Sequence, residues 1–92
     1  MFLMNKLEEA RNQIQQIDQE MIALFIQRMQ ASKMVAEYKR ENQLPVTDSR
    51  REQELIEKNL KALNHEELKT YYLTFFEGVL AASKAYQADL LK

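Results

Sequence analysis

Arg28, Ser32, Val35 and Lys39 are spaced i, i+4, i+7 and i+11, which puts them on one face of a helix. The two ends of that row are basic and its middle is small. About 16 Å separates the ends along a helix axis. Two long side chains can close that gap on a small anion lying over Ser32 and Val35. A second row, Phe76, Leu80, Ser83 and Gln87, has the same spacing. It begins apolar and ends in two polar groups that need partners if the face is buried. A ligand bearing oxygens is one such partner. Between the rows lies QLPVTDSRREQE, residues 43 to 54, where mixed charge follows the only proline, Pro45. Asp48, Arg51 and Glu52 can open a helix there, beside the Lys39 end of the first row, and complete a polar pocket. Arg50, Glu54 and Lys58 read as solvated surface. This chemistry is the holding and polarising of a small anion. A plainer reading pairs Arg28 and Lys39 with the chain's own carboxylates, because a buried cation needs a counter-charge. It makes Ser83 and Gln87 a frayed helix end.

Other chemistries lack their residues. There is no cysteine, so no thiol nucleophile or disulfide framework. The single histidine, His65, falls in a predicted loop, and no set of ligands has the spacing of a metal site. No metal and no cofactor is expected. The 92 residues suit one domain, 1–92. Thirteen basic and 14 acidic residues leave a net charge of −1, which argues against a general affinity for nucleic acid or anionic membrane. The start, MFLMNKLEEA, lacks the pattern of a secretory signal. MIALFI is far too short to span a bilayer. A cytoplasmic protein is expected.

One glycine and one proline cannot supply the turns of a many-stranded protein, so the fold class is all-α. Apolar residues recur with heptad spacing at Leu3, Leu7, Ala10, Ile14, Ile17, Met21 and Leu24, then Ala31, Val35 and Tyr38, with Arg28 interrupting the seam. The pattern predicts a first helix over about 5–42, roughly 55 Å long. Pro45 ends it and biases Leu44 toward extended backbone. Thr47 or Asp48 can cap a second helix over about 48–62, and Ser49 with Glu52 also fits a capping box. Its apolar face is Leu55, Ile56, Leu60 and Leu63. Asn64 with Glu67 is another capping box, opening a third helix over about 66–90 with a stripe of Leu68, Tyr72, Phe75, Val79, Ala82 and Tyr86.

A helix of roughly 55 Å outreaches a compact domain of this size, whose radius of gyration is near 13 Å. The uncovered seam needs a partner. The expectation is an intertwined homodimer with its long helices packed about a twofold axis. A monomeric three-helix hairpin is the alternative. Arg11 lies beside the seam, about 25 Å along the helix from Arg28, and cannot reach the Arg28–Lys39 gap within one chain. If the helices pair antiparallel about an axis near residue 22, the partner's Arg11 falls over that gap.

Taken together, Arg11, Arg28, Lys39, then PVTDSRRE with Asp48, Arg51 and Glu52, then Ser83 and Gln87, resemble the chorismate mutases of the all-helical AroQ class. The resemblance spans nearly the whole chain. Arg11 to Glu52 fits without a gap, and the turn before the third helix is one residue shorter than in some relatives. It implies a domain-sharing dimer that rearranges chorismate to prephenate. Arg28 and the partner's Arg11 would hold the two carboxylates. Lys39 would bridge a carboxylate and the ether oxygen, to which Gln87 would also donate. Glu52 and the Asp48 backbone would take the ring hydroxyl, Ser83 would assist a carboxylate, and Arg51 would support the site. An isochorismate-pyruvate lyase on the same fold needs the same cations. A helical dimer acting only as an interaction module would need none of them free.

Overall fold

The computed structural model describes residues 5–92 and is helical throughout, with no strand among the described residues. Leu3, the first expected seam residue, lies outside them. Three α-helices follow in order: α1 (Lys6–Glu41), α2 (Ser49–Leu63) and α3 (Lys69–Leu90), with a 3-10 turn, Glu66–Leu68, leading into α3. No helix is long and apolar enough to cross a membrane, and no cluster of three or more potential metal ligands occurs, both among the described residues.

The chain divides into two compact units between Ala31 and Ser32, inside α1. In the first unit the side chain of Asn5 accepts from the Glu8 backbone N–H at 2.9 Å, satisfying one of the orphan donors that open a helix. The seam residues Leu7, Ile14, Ile17, Met21 and Leu24 are exposed in the single chain, Leu24 at 61%.

The second unit packs the end of α1 with α2 and α3. Helix α1 stops in a motif that needs a left-handed residue, and Gln43 supplies it at φ 55°. The Leu44 N–H bonds to the Lys39 carbonyl at 2.8 Å and the Gln43 N–H to the Arg40 carbonyl at 3.3 Å, the paired bonds of a Schellman ending. Pro45 then bars any continuation. Helix α2 opens on Asp48, whose carboxylate accepts from the Arg51 N–H at 3.1 Å. Asp48 is thus the cap, and the expected Ser49–Glu52 box does not form. Its apolar face, Leu55, Ile56, Leu60 and Leu63, is half-buried. Asn59 donates to the Tyr72 hydroxyl across the α2–α3 contact at 3.1 Å, and Tyr72 stacks on Phe76 at 5.6 Å.

Two expectations for the third helix need correcting. Asn64 does not cap it. At φ 50° Asn64 ends α2 instead, because asparagine tolerates the left-handed region that most residues avoid. The apolar stripe holds in part: Tyr72, Val79, Ala82 and Tyr86 are half-buried. Leu68 and Phe75 are exposed, whereas Phe76, Ser83 and Gln87 are the buried residues of α3. Apolar residues surround this helix, so more than one stripe fits its period. The last turns of α1 and α3 are tied by a hydrogen bond from the Arg40 guanidinium to the Leu90 carbonyl.

Candidate functional site

Among the described residues the buried polar ones are Ser32, Ser83 and Gln87, one from α1 and two from α3. The two serines share a face with a core residue: Ala36 follows Ser32 by one turn, and Phe76 precedes Ser83 by two. The Ser32 and Ser83 hydroxyls bond at 2.6 Å. Gln87 donates through Nε2 to the Ser83 hydroxyl at 3.2 Å. Its Oε1 accepts from Lys39 Nζ at 3.0 Å, and Lys39 also donates to the Val46 carbonyl at 2.7 Å. The bonds form one chain from the loop after Pro45, through Lys39, to the paired serines. The Gln87 amide is oriented by its two partners, since only its oxygen can accept from an ammonium.

Lys39 is half-buried, yet both of its partners are neutral oxygens. Among the described residues no carboxylate pairs with it. The reading that cancels Lys39 against the chain's own acids therefore fails for this residue. A partly desolvated ammonium held by two dipoles keeps its net charge and attracts an anion. Gln87 retains a second amide hydrogen for another acceptor. The Pro45 turn contributes directly, because it aims the Val46 carbonyl at Lys39.

Of the residues singled out by sequence, Ser32, Lys39, Ser83 and Gln87 come together in this chain of bonds. Glu52, half-buried in the first turn of α2, is engaged by Lys84 of α3 at 3.0 Å. Asp48 spends its carboxylate on the cap. Its carbonyl accepts from the Glu52 N–H at 3.0 Å. Val35 and Arg51 are exposed. Arg50 forms an exposed pair with Glu54 at 3.2 Å, as fits surface residues. Arg11, exposed, and Arg28, half-buried, belong to the first unit. Sequence reasoning missed Lys84. It stands beside Ser83, but nothing in the local pattern indicates a partner on another helix.

No curated protein and no solved structure matches the chain. A family does. The sequence model for chorismate mutase type II matches residues 10–88, a span that starts just before Arg11 and ends just after Gln87. The match thus takes in every residue singled out above, and the chain belongs to the chorismate mutase type II family, the all-helical AroQ class.

Proposed function

We propose that the protein is a chorismate mutase, catalysing the intramolecular Claisen rearrangement of chorismate to prephenate. The observation that carries this reading is Lys39: a half-buried cation, satisfied only by neutral oxygens, bonded to the amide of a buried Gln87. In the reaction the ether C–O bond breaks as a C–C bond forms, and negative charge grows on the ether oxygen. Atoms and electrons balance within one molecule, so no nucleophile is required. The protein must hold a flexible dianion in a compact reactive geometry and place fixed donors where the charge grows.

Lys39 and Gln87 suit the second task. Lys39 contributes a full positive charge, and the free amide hydrogen of Gln87 adds a second donor. Both are held before substrate arrives, so little reorganisation accompanies the charge development. Arg28 and the partner's Arg11 bind the two carboxylates, with Ser83 assisting. Ser32 and Val35 form the floor beneath the substrate. Glu52 and the Asp48 backbone take the ring hydroxyl, and Arg51 supports that end. The exposed apolar seam of α1 supports the homodimer this arrangement needs.

The test is direct. Purified protein is added to chorismate, its loss is followed, and the product is identified. Rapid formation of prephenate is the expected result. Pyruvate released from isochorismate, with chorismate untouched, would reassign the protein to the lyase reaction. Inertness toward both would leave a non-catalytic helical dimer.

A further inference from the structure

Lys84 has no place in the roles above, yet it carries an ion pair that joins two helices. Its ammonium donates to Glu52 Oε1 at 3.0 Å, with the side chains 39% and 23% exposed, respectively. The pairs Arg50–Glu54, Glu66–Lys69 and Asp89–Lys92 instead join residues three or four apart. Lys84 lies next to Ser83 and three residues before Gln87, both buried in the hydrogen-bonded chain. Glu52 lies in the first turn of α2, where the helix dipole also favours a carboxylate.

We infer that Lys84 is a positioning residue of the site: it fixes the Glu52 carboxylate as a hydrogen-bond acceptor, so that Glu52 selects a substrate carrying a ring hydroxyl. The inference rests on the activity proposed above. Lys84 occupies one carboxylate oxygen and leaves the other to accept from the hydroxyl. The hydroxyl takes no part in the bonds made and broken, so its contact is equal in the ground state and the transition state. Such uniform binding shows in KM and not in kcat.

The experiment compares wild-type protein with Lys84→Met, which keeps the aliphatic stem and removes the charge. KM for chorismate is expected to rise about 5- to 10-fold, with kcat falling no more than about 2-fold. Lys84→Arg is expected to bring KM back to within about 2-fold of wild type. In a Glu52→Gln background, Lys84→Met is expected to add nothing further, because the lysine acts through the carboxylate. An unchanged KM in Lys84→Met overturns the inference. So do effects of the two substitutions that multiply in full, since Lys84 would then act independently of Glu52. If Lys84→Met fails to fold, Lys84→Gln replaces it. Unfolding of both would make the pair a clamp between helices and overturn the inference too. Wild-type protein without activity on chorismate defeats the activity reading and this inference with it. Active wild type alongside an indistinguishable Lys84→Met variant defeats the inference alone.

Discussion

Gln87 is the residue on which the site turns, because one buried amide joins the Lys39 ammonium to the serine pair. Gln87→Ala and Lys39→Ala should each lower kcat by about 10²-fold or more, the loss typical of a missing transition-state donor. Circular dichroism should show both variants still helical. A loss of helix instead would make these residues structural. The Ser32–Ser83 pair invites a separate test. Removing the Ser83 hydroxyl takes away the buried partner of Ser32, at a cost of about 1–3 kcal/mol, whereas removing both should cost less than the sum of the single changes. Urea unfolding of the two single variants and the double variant measures this, and strict additivity would contradict the pairing. The two rows that contain these residues were legible in the sequence, because a helix fixes which residues share a face. The link between Lys84 and Glu52 was not. The two residues stand 32 positions apart, and only the packing of α2 on α3 brings them together.

At the scale of the elements, the proline and the alternation of apolar residues locate the three helices well, but helix ends follow subtler chemistry. Gln43 takes a left-handed conformation without any sequence preference for it. Asn64 has that preference, yet asparagine is an equally good opening cap, and its ambiguity produced the wrong assignment. Two members of the α3 stripe, Leu68 and Phe75, are exposed for a related reason. Leu68, Phe75 and Phe76 are all apolar, and burial distinguishes them only after α2 has docked. Two substitutions at the ends of helices test this account. Gln43→Gly should stabilise the protein by up to about 1 kcal/mol, since glycine adopts the left-handed region without strain. Asp48→Ala should destabilise it by about 1 kcal/mol through loss of the α2 cap. Chemical denaturation reads both, and a Gln43→Gly protein less stable than wild type would contradict the reading of that turn.

At the scale of the whole molecule, the buried apolar side chains among the described residues are Ala36 and Phe76. So small a core cannot by itself offset the conformational entropy of about 90 ordered residues. Large apolar residues along α1 stand in solvent in the single chain, Ile14 at 55% and Leu24 at 61%. In the proposed homodimer these residues would be buried, which would supply the missing stabilisation. Its shared sites can be tested by mixing Arg11→Ala protein with Lys39→Ala protein, each inactive alone. Hybrid dimers should recover up to about one intact site in two. No recovery after demonstrated subunit exchange would count against a contribution from the partner. The hydrogen bond from Arg40 to Leu90 carries one more consequence. Lys39 and Gln87 both lie within three residues of a helix terminus, the part of a helix that opens first in local fluctuations. That clasp, with the Lys39–Gln87 bond, holds the two termini together. Warming should therefore silence catalysis several degrees below the helical melting transition, and the lost activity should return on cooling. Coincident loss of activity and helical signal would mean that the helix ends are as firmly held as their middles.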